Sequence, residues 1–246
     1  MLDKQWFETW FDSPYYHQLY CNRDEIEAHN FISKLSAYLQ LPIGSSVLDI
    51  ACGKGRHSRF FSSLGYDTTG IDLSPHSIAY ANTFSTEHLH FQEWDMRKVY
   101  KAESYDIVVN LFSSFGYFDE EADDQAAIQA MADNLKPNGI LVMDYLNAEA
   151  IIKLIKPRDI IDRGKIQFHI KKRIENGFIK KEIDFIANGE NQHYEEQLKI
   201  IKPAQFEKLF AASALRIIAL FGSYDLEDFD AEKSLRQIIV ASKPIL

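Results

Sequence analysis

Positive charge is in short supply: 27 Lys and Arg stand against 36 Asp and Glu, a net charge of −9 over 246 residues. Binding a polyanion requires clustered Lys and Arg, so DNA and RNA are excluded as main partners. The one dense basic run, Lys171-Lys172-Arg173 with Lys180-Lys181 nearby, alternates with apolar residues and reads as the wet face of a hairpin. Cysteine is scarcer still. Cys21 and Cys52 are the only two, and neither belongs to a CxxC pair or a Cys/His cluster of metal-site spacing. No disulfide framework and no metal site are expected, which suits a reducing cytoplasm. Long apolar runs are also missing, and none reaches the ~18 residues that suggest a membrane span. The start, MLDKQWFETWFDSPYYHQLY, carries acids and aromatics where a secretory signal would carry a basic region and an apolar run. These absences together lead us to expect a cytoplasmic protein that engages neither membrane nor nucleic acid.

What is present is a clear alternation of elements. Asn22 and Glu25 have capping-box spacing, and Ala28, Phe31, Ile32, Leu35, Tyr38 and Leu39 recur on one helical face until Leu41-Pro42-Ile43-Gly44 stops it. Apolar strands then follow at 46–50, 66–71, 88–93, 105–111 and 140–146, separated by helical patterns at 58–64, 75–84 and 120–135. Strands alternating with helices make βαβ units and a parallel sheet covered on both faces. After Lys156-Pro157 the rhythm becomes antiparallel, with strands at 165–175, 177–187 and 192–202 and an Asn176-Gly177 turn between the first two. A helix over 203–214 and strands at 216–221 and 236–242 close the chain. The expectation is one domain of α/β class: a doubly wound, mostly parallel, seven-stranded sheet carrying an inserted antiparallel β-lid. Its parts are an N-terminal aromatic segment and helix (1–43), a binding core (44–156), the lid (157–202) and a C-terminal helix with the final strand pair (203–246).

The first βα turn, Asp49-Ile-Ala-Cys-Gly53-Lys-Gly55, lacks the GxGxxG spacing of dinucleotide sites. Glycines there admit a ligand to the backbone, and the following helix offers free N–H groups. A carboxylate at the strand end favours a positively charged amine over a pyrophosphate. The next strand ends in Asp72, roughly 20 residues on, where this architecture grips ribose hydroxyls. The third ends in Trp94-Asp95-Met96, suited to an adenine: a carboxylate for the amino group and apolar side chains for the ring. An adenosine with an amino-acid tail satisfies all three. The plainer alternative makes Asp49 and Asp72 helix caps and Cys52 a filler at a tight turn.

VLDIACGKG, GIDLS, EWDM, SYDIVVNLFSSFGYF and LKPNGILVMDYLN, in this order and spacing, resemble the class I S-adenosylmethionine-dependent methyltransferases of small-molecule type. The resemblance covers residues 46 to about 146 and implies the Rossmann-like methyltransferase fold with S-adenosyl-L-methionine as cofactor. By that resemblance, Asp49, Ala51, Gly53 and Gly55 line the methionine part, Asp72 binds the ribose, and Leu73 lies beside the adenine. Asp95 and Met96 address the adenine, while Asn110 and Leu111 run along the cofactor near the sulfonium. Ala51 departs from the pattern, which often has glycine at that position.

Methyl transfer is an in-line displacement needing alignment, exclusion of water and, for amine or hydroxyl acceptors, uptake of a proton. The slot after the fourth strand reads Asn110-Leu-Phe-Ser, not the Asn/Asp-Pro-Pro-Tyr of nucleic-acid and glutamine methyltransferases. With the acidic charge, this points to a small-molecule acceptor with an N or O nucleophile. The lid and the aromatic N-terminal segment resemble features that close a small-molecule pocket. Candidate acceptor contacts are Tyr16, Tyr20, Arg56, Phe115, Gly116, Tyr117 and Tyr145, and candidate catalytic groups are His57, His17 and Tyr15, since histidine titrates near neutrality. Packing is the alternative role for Trp6, Phe7, Trp10, Phe11, Tyr15 and Tyr16. A catalytically silent S-adenosylmethionine-binding regulator and a nicotinamide-dependent reductase are the competing readings; the second lacks both the fingerprint spacing and a Tyr-x-x-x-Lys pair. The acceptor and the oligomeric state, a homodimer included, stay open.

Overall fold

The computed structural model describes residues 5–21 and 25–245. Two short helices, α1 (Trp6–Trp10) and α2 (Pro14–Leu19), precede the long α3 (Glu25–Leu39). Ser13 caps α2 by accepting from the Tyr15 N–H, with Pro14 at the first helical position. The capping box expected at Asn22 lies outside the described residues. On α3 the buried face is Ala28, Phe31, Ile32 and Leu35. Tyr38, expected on that face, is exposed instead and meets Phe221 edge-on at 5.1 Å.

The alternating units come next: β1 (Ser46–Ile50), α4 (Arg56–Ser63), β2 (Asp67–Asp72), α5 (Pro75–Ala81), β3 (Leu89–Glu93), β4 (Tyr105–Asn110), α6 (Glu121–Asn134) and β5 (Leu135–Leu146). Strand β5 starts five residues before the expected Ile140, because Leu135 pairs with Tyr105 and the register shifts before Ile140 pairs with Ile107. Lys136–Gly139 are therefore an irregularity within the strand, not a loop before it. The chain continues through α7 (Ala148–Leu154), β6 (Arg158–Arg163), β7 (Ile166–Glu175), β8 (Phe178–Ala187), β9 (Glu190–Lys199), α8 (Pro203–Ala212), β10 (Arg216–Phe221) and β11 (Arg236–Ser242).

The large sheet has seven strands in the order β10-β11-β5-β4-β1-β2-β3. Strands β1 to β5 pair in parallel, and β11 enters antiparallel between β5 and β10. Val47 and Leu48, adjacent on central β1, feed two different cores. Leu48 packs with residues of α6 and α8, and Val47 with those of α3 and α4. Both faces being covered, β1 reads as a continuous apolar run broken only by Asp49.

The small sheet runs β6-β7-β8-β9, all antiparallel. It has one strand more than the sequence suggested: β6 alternates half-buried and exposed residues and carries charges at Arg158, Asp159, Asp162 and Arg163, which hid it. Asn176-Gly177 and Asn188-Gly189 both have positive φ at both positions, 51° and 79°, then 52° and 81°. These two-residue turns match the strand twist. Phe168, Ile170, Ile183 and Phe185 on the sheet's inner face form a separate core with Trp10 and Leu19 of the N-terminal helices.

Candidate active site

Parallel strands β1 to β4 deliver their C-terminal ends to one cavity of about 320 Å³. Its wall takes Ile50 and Ala51 after β1, Ile71 to Ser74 after β2, Trp94 to Met96 after β3, and Leu111, Phe112 and Ser114 after β4. It therefore lies where the strand order reverses between β1 and β4, the position at which open α/β sheets bind ligands. Helices α1 and α2 and the residues following them complete it, with Phe7, Glu8, Phe11, Tyr16, His17, Tyr20 and Cys21.

The β1–α4 turn is built on left-handed backbone, with φ of 59° at Ala51, 55° at Gly53 and 77° at Gly55. A Cβ on Gly53 would meet nothing within 4 Å, whereas one on Gly55 would lie 2.5 Å from the Phe91 ring. Packing thus fixes glycine at 55, and backbone conformation favours it at 53. Gly55 is also the N-cap of α4, and Ser74, whose side chain accepts from the Ser77 N–H, caps α5. Neither Asp49 nor Asp72 serves as a cap.

Those two carboxylates do other work. Asp49 is buried behind the turn and accepts from Ser58 Oγ at 2.6 Å. Burial pushes its pKa up to about 7, against the Ser58 bond, and nearby Asp72 pushes the same way. Asp72 borders the cavity and accepts from the backbone N–H groups of Gly53 and Ser74, both at 2.8 Å. Burial raises its pKa too, despite those bonds. Asp95 is the contrary case. Burial would raise it, but Arg97 grips it through Nε at 3.1 Å and Nη2 at 2.7 Å and holds it below the usual range.

Of the residues singled out in the sequence, Ala51, Gly53, Asp72, Leu73, Asp95, Met96 and Leu111 border the cavity, as do His17, His57, Arg56, Tyr16, Tyr20 and Tyr117. Asp49, Gly55 and Asn110 stand just behind its wall. Asn110 is fully buried and donates through Nδ2 to the carbonyls of Ile50 at 3.1 Å and Ser114 at 3.0 Å, tying the β1 and β4 loops together. Gly116, whose carbonyl accepts from the Lys199 N–H at 2.8 Å, is not brought to the cavity, and neither are three aromatic candidates. Tyr15 packs edge-on against Phe185 of the small sheet at 4.9 Å. Phe115 and Tyr145 are fully buried in the main core beside Phe206; the Tyr145 hydroxyl donates to the Lys199 carbonyl at 2.6 Å, and burial pushes its pKa well up. Each is an aromatic next to a motif, and sequence cannot tell which way such a ring turns.

No residue of the small sheet borders the cavity. It is α1, α2 and the residues following them that cover the site, and the sheet backs them. Trp10 Nε1 donates to Glu196 Oε1 at 2.6 Å, and Tyr20 Oη lies 2.7 Å from the same oxygen. Sequence reasoning also missed Phe7, Glu8 and Phe11 as cavity residues. The signal was there in the i, i+4 spacing of the two phenylalanines, but the segment read equally well as packing. Phe112, Phe118 and Lys54 gave no signal beyond adjacency to the motifs.

A methyltransferase-domain family matches the chain over residues 47–139, the span that builds the carboxylate end of the cavity. A Streptomyces venezuelae protein, dTDP-3-amino-3,4,6-trideoxy-alpha-D-glucopyranose N,N-dimethyltransferase, is 27% identical over 190 residues, covering 74% of this chain and 79% of that protein. Residues 47–139 are a methyltransferase domain, and the protein is an S-adenosylmethionine-dependent methyltransferase. The fold agrees: an S-adenosylmethionine-dependent methyltransferase from Clostridium acetobutylicum ATCC 824 superposes with a TM-score of 0.79 over 94% of this chain and 96% of that one, at 18% identity. CalS10, an amino pentose methyltransferase from Micromonospora echinaspora solved with S-adenosylmethionine bound, gives 0.69 over 94% and 97% at 20% identity.

The residues of this methyltransferase fit its cofactor chemically. Asp49 and Asp72 are carboxylates whose charged forms are disfavoured by burial, and an incoming cation or hydroxyl donor relieves that penalty. The apolar flanks of Leu73, Trp94 and Met96 suit a purine ring. Among the described residues no group of three or more His, Cys, Asp or Glu converges as metal ligands would, and no helix is long and apolar enough to cross a membrane.

Proposed function

We propose that this methyltransferase methylates the amine nitrogen of a small polar molecule in the cytoplasm, residues 1–246 acting as one domain. The observation that carries the reading is the make-up of the cavity. Away from Asp72 its wall is largely aromatic, with Phe7, Phe11, Tyr16, Tyr20, Tyr117 and Phe118. Ring faces attract ammonium and sulfonium cations, and aromatic walls keep water from the transferring methyl. A cavity of about 320 Å³ suits a small ligand. The Streptomyces venezuelae relative and a second one from Streptomyces fradiae, 23% identical, are named as N,N-dimethyltransferases of amino sugars.

Bound S-adenosylmethionine supplies a methyl carbon made electrophilic by its sulfonium. In this reading Asp72 accepts from the ribose hydroxyls, while Asp49 offers negative charge to the methionine end across the Ala51–Gly55 turn. Asn110 holds the Leu111 loop against that turn. Asp95 with Met96 and Leu73 receives the adenine, keeping Arg97 as the partner of its carboxylate. Tyr16, Tyr20, Arg56 and Tyr117 contact the acceptor. An attacking amine must be neutral, so a proton leaves either before attack or from the ammonium product. His17, whose Nε2 lies 3.4 Å from Ser77 Oγ, and His57, stacked on Phe112 at 4.9 Å, are the histidines at the cavity able to take it.

The test is transfer of isotope-labelled methyl from S-adenosylmethionine to a panel of amino sugars, amino acids and simple amines, set beside their hydroxyl analogues. Label on nitrogen in the amines alone is the expected result. Label on the hydroxyl analogues alone overturns the amine reading. Asp72→Ala should weaken cofactor binding by about tenfold or more, as loss of a charged acceptor does; unchanged affinity removes Asp72 from the site.

A further inference from the structure

The segment after β4 is held in a conformation its own residues disfavour. Phe112 and Ser113 both have φ of 59°, two successive non-glycine residues in the left-handed region, where Cβ crowds the carbonyl oxygen. Both of their N–H groups are received by one residue on the neighbouring strand. Phe112 N–H donates to Asp144 Oδ2 at 2.7 Å, and Ser113 N–H donates to the Asp144 carbonyl at 2.9 Å.

Asp144 is fully buried at the end of β5, and a buried carboxylate needs a counter-ion. Arg236, at the start of β11, supplies it: Nε lies 2.8 Å and Nη2 2.6 Å from Asp144 Oδ1. The same guanidinium donates to Ser113 Oγ at 3.0 Å. Tyr224 closes the cluster by donating to Asp144 Oδ2 at 3.1 Å, with its ring stacked on Phe112 at 5.1 Å.

The Phe112 ring also meets two cavity residues. The Arg56 guanidinium sits 4.1 Å from its centroid and the His57 ring is stacked at 4.9 Å. We propose that Asp144, paired with Arg236, is a positioning residue for methyl transfer: it holds the left-handed turn at 112–113 and thereby sets Phe112 as the platform for Arg56 and His57. Tyr117, another cavity residue, is fixed by the same turn, its hydroxyl donating to the Ser113 carbonyl at 2.7 Å. Asp144 touches neither the cavity nor any reacting atom. The inference rests on the cavity being the methyl-transfer site, but not on the acceptor being an amine.

The test compares Asp144→Asn with wild type in three measurements. An asparagine has one oxygen and one donating nitrogen, so whichever way it turns a donor faces either Arg236 or the Phe112 N–H. Amide hydrogen exchange should accelerate at least tenfold at Phe112 and Ser113 while Gly53 and Ser74, held by Asp72, keep their protection. S-adenosylmethionine affinity, titrated directly, should stay within about threefold, because Asp72 is three strands away in the sheet. Turnover should fall ten- to a hundredfold with an acceptor KM rise smaller than that. Arg236→Lys, which keeps the charge but loses the fork, should lie between, and serves if Asp144→Asn does not fold. Unchanged exchange at 112–113, or cofactor affinity and turnover falling in parallel, overturns the inference and makes the cluster ordinary scaffolding. Exchange and cofactor binding are read without any acceptor, so a failure of the amine reading leaves this outcome separately visible.

Discussion

Ser74 Oγ donates to the carboxylate of Asp12 at 2.6 Å. This joins the loop between α1 and α2 to the cap of the helix that follows Asp72. Asp12 also accepts from the His76 N–H at 3.1 Å and lies 2.6 Å from His76 Nδ1. The aromatic cover of the cavity is thus tied down beside Asp72, the carboxylate proposed to receive the ribose.

Asp12→Ala should remove that tie. Helices α1 and α2 also pack against the small sheet, so the fold should survive, losing about 1–2 kcal/mol as hydrogen-bond deletions do. Burial would raise the Asp12 pKa, but the Ser74 and His76 bonds hold it below its ordinary value. A depressed carboxylate contributes stability above its unfolded pKa and loses it as pH falls through the folded one. The deficit of the variant should therefore shrink below pH 4 or so, the unfolded Asp value. Faster cofactor dissociation in stopped flow, against the wild type at pH 7, checks the functional part.

Asp49 has the opposite sign. Its folded pKa is raised to about 7 by burial, so the cofactor-free protein carries a cost that grows as pH rises from the unfolded carboxylate range through 7. Asp49→Asn should be at least as stable as wild type at pH 8, and their difference should vanish near pH 4. A cationic ligand lowers the pKa of Asp49, so cofactor affinity of the wild type should rise with pH toward 7 and then level off. Calorimetric titration at pH 5.5 to 8 should find that slope much reduced in Asp49→Asn.

Gly55→Ala should be costly. The residue has φ of 77°, and its Cβ would lie 2.5 Å from Phe91 Cε1 and 3.4 Å from Ala81 Cβ. Left-handed backbone and a displaced core ring together predict a loss of about 2–4 kcal/mol, measurable by urea unfolding. Gly53→Ala meets open space and should lose only the conformational part, about 1–2 kcal/mol, although it narrows the ligand approach.

Glu196→Gln should loosen the cover from the small sheet. Burial opposes ionisation of Glu196, but Lys181 at 2.9 Å and the donors on Trp10 and Tyr20 overcome it and depress its pKa. Its stabilising effect is present above its unfolded value near 4.3 and lost as pH falls through the folded one. The pair is half-buried, so removing its negative charge should cost about 1.5–3 kcal/mol, the range for hydrogen bonds to a charged group. Limited proteolysis between residues 5 and 21 should speed up in the variant, with the core of residues 46–146 spared.

The sequence by itself determined the succession of elements around the site. VLDI at 47–50, GID at 70–72 and YDIVVN at 105–110 are strand segments largely buried, so their alternation with helical stretches announces a parallel sheet, and the polar residues at or next to their C-terminal ends announce where a ligand sits. Caps and turns are equally local: Ser74-Pro75 opens a helix, and Asn176-Gly177 reverses a strand, because one or two residues fix the backbone there. Strand β6 escaped, since a half-exposed edge strand of alternating charge has no hydrophobic signature. Tertiary structure alone decided which aromatic rings face the cavity, sending Phe7, Phe11 and Phe112 to its wall and Phe115, Tyr145 and Tyr15 elsewhere. Ring direction is set by packing against partners more than 50 residues away in the chain, as Tyr145 is by Phe206. The pairing of Asp144 with Arg236 and the Phe112 N–H is of the same kind: three strands far apart in the chain must meet before a charge, its counter-ion and a strained turn become one device.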